Sequence, residues 1–286
     1  MSAPLIEATH LSKHYGRLPA LDKLDFQVQP GRIVGLVGRN GAGKTTLLKA
    51  LLGLTSYEGR LQVLGHDPAT QRDALMQQVC FIADTAVLPR WLRVAQALDF
   101  VAAVHPRFDR ARADEFLKST NISRRSRISE LSKGMVTELH LALILAIDAR
   151  LLVLDEPTLG LDLIYRRQFY DTLLNDYLDK ERTILLTTHQ IEEIEHLVTD
   201  VLFIEQGKLA IDCSIDELGT RYQQLVVAPD RLAAARALRP LNEREVLGRH
   251  YLLFEEQSPA SLAGLGELRT PTLSDLFVAR LQGAAP

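Results

Sequence analysis

The chain has 286 residues, enough for one large domain and a small appendage. Hydrophobic residues at 47% and charged residues at 24% give the balance of a globular protein rather than a disordered or fibrous one. A net charge of −3 supplies no long-range attraction for nucleic acid, which is therefore not an expected partner. From the N-terminus, residues 5–11 and 20–28 alternate apolar and polar side chains and predict two antiparallel strands joined by a turn near Gly16. Tyr15 falls in that turn after Lys13 and His14, where an aromatic ring can stack on a nucleobase or simply pack.

An apolar run at 33–37 and a helix-like segment at 46–52 flank Gly38-Arg39-Asn40-Gly41-Ala42-Gly43-Lys44-Thr45. That order is strand, glycine-rich loop, helix. The spacing G-x-x-x-x-G-K-T suits phosphate, because glycines let successive N–H groups turn inward while the next helix adds its positive end. Gly38, Asn40, Gly41, Ala42, Gly43, Lys44, Thr45 and Thr46 are the candidate nucleotide contacts. Lys44 would sit against the β- and γ-phosphates and the Thr45 hydroxyl on Mg²⁺.

Beyond the loop, strands are predicted at 59–64 and 79–82 with a polar helix at 70–78 between them. The tract 91–147 reads as almost wholly helical, with periodicity at 91–104, 110–117 and 133–147, and predicts a helical subdomain. The run 151–154 has the continuous apolar character of a parallel strand covered on both faces, and it ends in Asp155-Glu156-Pro157. Two carboxylates there make chemical sense beside a bound triphosphate: Asp155 would hold Mg²⁺ through water and Glu156 would polarise the attacking water. The same pair can also be a solvated strand end. A helix at 163–178, a strand at 183–188 ending at His189, a helix at 190–198 and a strand pair at 201–204 and 208–211 continue the alternation, which argues a mostly parallel α/β core. His189 is placed to donate a hydrogen bond to a γ-phosphate, although a lone histidine in such a place is more often incidental. Near Gly219 the pattern changes to a short α+β segment: an apolar run at 225–228, a helix at 231–238, strands near 245–254 and a final helix at 272–281. Residues 1–220 are thus expected as one domain and 221–286 as a small accessory domain.

Residues 1–15 lack a cationic start and a sustained apolar run, and the longest uncharged apolar stretch, 141–147, is too short to span a bilayer. A cytosolic chain is expected. Cys80 and Cys213 match no metal or redox spacing and are expected as small buried residues kept reduced.

In sequence order, Tyr15, the glycine loop, Leu131-Ser132-Lys133-Gly134-Met135, Asp155-Glu156-Pro157, Gly160-Leu161-Asp162 and His189 resemble the A-loop, Walker A, signature, Walker B, D-loop and H-switch of ABC-transporter ATPase subunits. The resemblance spans roughly residues 5–220. It implies a P-loop NTPase core with an antiparallel β subdomain, a helical signature subdomain at about 91–147 and a small C-terminal α+β extension. It implies ATP and Mg²⁺ as cofactors, with Tyr15 on adenine. Two such subunits, identical or related, would pair head to tail, so that Ser132 and Gly134 close on the other subunit's γ-phosphate and Asp162 lies between the two sites. Separate transmembrane permease subunits would be driven from the inner face of the cell membrane. Read by itself, Ser132 is a natural N-cap for the helix that follows it.

Two departures stand out. Asp84 occupies the position where the family usually has a glutamine that senses Mg²⁺ and water, so Asp84 is counted with the nucleotide and metal contacts. Lys133 and Met135 replace the commoner signature Gly and Gln. Leu-Ser-Lys-Gly-Met resembles the form found in ATPases of bacterial exporters. Two alternatives remain: an ABC-type ATPase of translation or DNA repair, and a regulatory protein that senses ATP without appreciable hydrolysis.

Overall fold

The computed structural model describes residues 3–83, 88–177 and 182–283, and its chain divides into two units. The first holds the described residues of Met1–Val34 and Gly43–Thr187; the second holds those of Gly35–Ala42 and Thr188–Pro286.

In the first unit, β1 (Ile6–Tyr15), β2 (Leu18–Val28) and β4 (Glu58–Val63) make an antiparallel sheet in the order β2-β1-β4. Tyr15 is the last residue of β1, paired with Leu18, rather than part of the turn, which is shorter than the sequence suggested. β3 (Ile33–Val37) leads to α1 (Lys44–Leu51). The predicted helix at 70–78 is only α2 (Arg72–Met76), with Gln78 committed to backbone bonds that bring Arg150 and Leu151 alongside. β5 (Val79–Ile82), β6 (Leu151–Asp155) and β7 (Thr183–Thr188) pair in parallel, Asp155 lying opposite Thr187, and Ile184 N–H donates to the Arg32 carbonyl at the start of β3. Every residue of β6 and β7 is buried, which is why their sequences show no alternation.

Between β5 and β6 stand α3 (Val94–Val104), α4 (Arg110–Lys118) and α5 (Lys133–Leu145), followed after β6 by α6 (Leu163–Asp176). Val94, Leu98, Leu117, Leu139 and Ala142 form the core of this helical region. It is less helical than predicted at its start. Ile128 N–H donates to Leu92 O at 2.9 Å and Val94 N–H to Ser126 O at 3.0 Å, so long-range backbone pairing claims the segment around Trp91 before a helix can.

In the second unit, the end of β3 is followed by α7 (Ile191–Ile194), then β8 (Asp200–Glu205) and β9 (Lys208–Ser214), an antiparallel pair in the order β3-β8-β9. α7 is one turn long where residues 190–198 were expected as helix; Leu197 N–H already bonds Ile194 O, and Ile194 and Val198 pack under β3. After α8 (Ile215–Arg221), β10 (Tyr222–Val227) and α9 (Leu232–Arg236) come β11 (Asn242–Val246), β12 (Arg249–Glu255), α10 (Pro259–Leu262), β13 (Glu267–Arg269) and α11 (Leu273–Gly283). The four strands form one antiparallel sheet, β11-β12-β10-β13, closed by Leu225, Val227, Ala235, Leu252, Phe254 and Leu262. Residues 225–227 of the predicted apolar run are the second half of β10, and Ala228 follows it, exposed. Both cysteines are buried and reduced. Among the described residues, no helix is long and apolar enough to cross a membrane.

Candidate functional site

The glycine loop owes its path to three glycines with different jobs. Gly41 and Gly43 have φ of 82° and 116°, a region that costs a residue with a side chain roughly 1–2 kcal/mol. Gly38 has an ordinary φ, but a Cβ there would lie 2.3 Å from the Ile204 carbonyl oxygen. Ala42 N–H closes the loop onto Arg39 O at 3.1 Å, and Gly207 N–H donates to Ala42 O at 2.9 Å. The turn between β8 and β9 thus braces the loop from beneath, a support no local motif announces. Gly43 is the N-cap of α1, and no side chain caps that helix start. The positive end of α1 is left for an anion. Arg39, Asn40 and Thr45 are exposed, Thr46 is half-buried, and Lys44 is buried.

In the first unit Lys44 Nζ lies 3.9 Å from Glu156 Oε1. Burial pushes the lysine pKa below its ordinary value, while the charges of Glu156 and Asp155 hold it up. Asp155 is buried and accepts a 2.6 Å bond from the Thr187 hydroxyl. The same Thr187 oxygen accepts the N–H of Glu156 at 3.0 Å. That second bond matters because Glu156 sits at φ 49°, a left-handed conformation an L-residue adopts only under constraint. Thr187, fully buried opposite Asp155 in the parallel pairing, is a site residue that sequence reasoning passed over; the only sign of it was a threonine two positions before His189.

The signature segment and the segment after β6 meet in this unit too. Ser132 caps α5, its oxygen accepting Met135 N–H at 3.2 Å. Asp162 caps α6 in the same way, accepting from Ile164 and Tyr165 N–H at 3.0 and 3.1 Å. The Tyr165 ring then lies against Gly134: a Cβ on Gly134 would be 2.3 Å from it. Tyr165 is the second residue the sequence did not flag. Met135 packs on the helical core, and Lys133 is exposed.

His189 is exposed just after β7, and the following turn is fixed by Gln190 N–H donating to the Thr188 hydroxyl at 3.0 Å. Tyr15 is half exposed, with Lys13 Nζ 5.2 Å from its ring centre. Asp84 lies outside the described residues.

A braced glycine loop at a helix start, together with a buried lysine against two strand-end carboxylates, defines a P-loop nucleoside-triphosphatase. A family model described as "ABC transporter" matches residues 21–159. Across 97% of this chain and 96% of the relative, the sequence is 32% identical to the "Daunorubicin resistance ATP-binding protein DrrA3" of Streptomyces coeruleorubidus. It is also 32% identical to "Nod factor export ATP-binding protein I" of Burkholderia pseudomallei (strain 1710b), over 99% of this chain and 98% of that one. Among solved structures, "Structure of ATP binding subunit of ABC transporter" superposes with a TM-score of 0.67 at 26% identity, covering 76% of this chain and 92% of that one. The chain belongs to the ABC transporter family, as one of its ATP-binding ATPases.

Proposed function

We propose that this chain is the ATP-hydrolysing motor of an exporter, working as a head-to-tail dimer that clasps nucleotide and drives separate permease subunits at the inner face of the membrane. The observation that carries the reading is the Lys44–Glu156–Asp155–Thr187 arrangement, a cation and a strained carboxylate held at the end of β6 by a buried hydroxyl. The printed names of two relatives, one for daunorubicin resistance and one for Nod factor export, support outward transport.

The residues divide the work by their chemistry. Asn40, Gly41 and Gly43 offer backbone N–H groups to phosphate oxygens, Gly38 and Ala42 shape the loop around them, and Lys44 and Thr46 extend that contact. Lys44, already charge-balanced by Glu156, neutralises the β- and γ-phosphates. Among the described residues no three His, Cys, Asp or Glu side chains cluster as a metal cage. Asp155, a buried carboxylate at the end of β6, and Thr45, at the start of α1, offer oxygen ligands that suit Mg²⁺, an ion that takes the rest from phosphate and water. When bound, that ion supplies charge neutralisation between the phosphates. Glu156 orients and polarises the attacking water, and His189 donates a hydrogen bond to the γ-phosphate. Tyr15, exposed at a strand end, stacks on adenine. Ser132 and Gly134 act on the partner subunit's nucleotide, with Asp162 between the two sites. Asp84 stands at the glutamine position and tunes hydrolysis, which the Asp84→Gln variant should register as a changed rate or Mg²⁺ dependence. Residues 1–220 form the ATPase domain and 221–286 an accessory domain.

Glu156→Gln keeps the size and removes the charge. Phosphate release should fall by at least about 100-fold while ATP binding survives, so that gel filtration with ATP and Mg²⁺ shows a dimer. A wild-type rate in the variant, or a monomer under all nucleotide conditions, would refute the reading.

A further inference from the structure

The C-terminal extension carries no group of its own that the hydrolytic reaction needs, yet it grips the segment that follows His189. α7 is a single turn, too short to be stable by itself, so its position is set by what packs on it. On one side it meets β3 at the closest distance a glycine allows: a Cβ on Gly35 would lie 2.9 Å from Ile194 Cδ1 and 3.1 Å from Val198 Cγ1. On the other side it meets the start of α11. The Leu273 N–H donates to Glu195 Oε1 at 2.9 Å and the Ser274 hydroxyl to Glu192 Oε1 at 2.6 Å. Ile191 shares a small apolar pocket with Val37, Leu273, Leu276 and Phe277. Val37 is the residue before the glycine loop.

α11 is also tied into the C-terminal sheet, near its start and near its far end. Arg280 bonds Glu255 of β12 at 2.8 Å and the Tyr222 hydroxyl of β10 at 3.2 Å, while Asp275 pairs with Arg244 of β11 at 2.9 Å. A continuous set of bonds therefore runs from the sheet through α11 to α7. Glu192 and Glu195 are three and six residues beyond His189, and the intervening chain has little freedom once both are held.

We propose that Glu192, Glu195 and Ser274 are positioning residues for His189: the C-terminal extension fixes α7 and thereby the place of the imidazole that meets the γ-phosphate. This rests on the reading of His189 given above. It assigns the extension a part in turnover rather than in nucleotide affinity, because the contacts it holds lie next to His189 and the loop's entry strand and not on the candidate nucleotide contacts themselves.

The test is a mutant cycle on the full chain. Glu195→Ala with Ser274→Ala removes one partner from each bond. The expected result is a fall in kcat of about 10-fold with KM for ATP within about twofold of wild type, since a small misplacement of a reacting group costs rate rather than binding. Glu195→Gln with Ser274→Thr, which keep an acceptor and a hydroxyl, should restore most of the rate. In a His189→Ala background the clamp substitutions should cost nothing further, because both act through one group. If the double alanine variant does not fold, Ser274→Ala alone, which removes a single exposed hydroxyl, enters the same cycle. Losses that multiply in the His189→Ala background overturn the clamp and leave the role of His189 standing. A His189→Ala variant with wild-type kcat overturns both.

Discussion

Thr187→Val tests the centre of the site at its least visible residue. The change is nearly isosteric and removes one hydroxyl that donates to Asp155 at 2.6 Å and accepts the Glu156 N–H at 3.0 Å. The bond to a carboxylate is worth about 1.5–3 kcal/mol, and an N–H left without a partner costs roughly 1 kcal/mol more, so about 2.5–4 kcal/mol of stability should be lost. For a chain of this size that is a drop in Tm on the order of 10 °C. The functional effect should exceed the loss of folded protein. Glu156 would be released from its φ of 49°, and kcat measured on the folded fraction should fall by about 10- to 100-fold. Thr187→Ser keeps the hydroxyl and should recover both quantities. Thermal unfolding and phosphate release on the three proteins settle the matter. A Thr187→Val protein within about 2 °C of wild type, or a Thr187→Ser protein equally damaged, would show that the hydroxyl bonds do not hold the strand end.

Two further predictions concern packing and pH. Gly134→Ala places a methyl group against the Tyr165 ring and should cost about 1–3 kcal/mol, whereas in a Tyr165→Ala background the same change should be neutral or stabilising by up to about 1 kcal/mol through helix propensity; equal effects in the two backgrounds, measured by urea denaturation, would rule out the contact as the reason for the glycine. The Tyr57 hydroxyl beside Asp67, 2.6 Å away, holds that carboxyl below its ordinary pKa of 3.8, helped by the Ala69 N–H. A depressed carboxylate pKa adds stability above its unfolded value and loses it as pH falls through the folded one. Tyr57→Phe should therefore destabilise the protein at pH 7 by more than it does well below pH 3.8, and a cost independent of pH would contradict this.

Local features could be read from the order of residues alone. The loop from Gly38 to Thr45 is legible because its glycines answer to backbone angles and its lysine follows a fixed spacing from them, both properties of eight consecutive residues. Asp155 and Glu156 were legible because β6 is buried on both faces and a charge can stand only at its end. Ser132 was legible as a cap because a helix start must satisfy its own N–H groups within a few residues, whereas the same role of Asp162 came only with the structure. What escaped the sequence depends on residues brought together by pairing and packing. Thr187 matters only because parallel pairing sets it opposite Asp155, 32 residues away in the chain. Gly134 touches Tyr165, Gly38 is pressed by Ile204, and Trp91 stays out of a helix because its neighbours bond to residues 126 and 128. α7 shrinks to one turn because it is held between Gly35 and α11. Short-range propensity reports what a segment can do alone, and pairing and packing with distant partners select among those options.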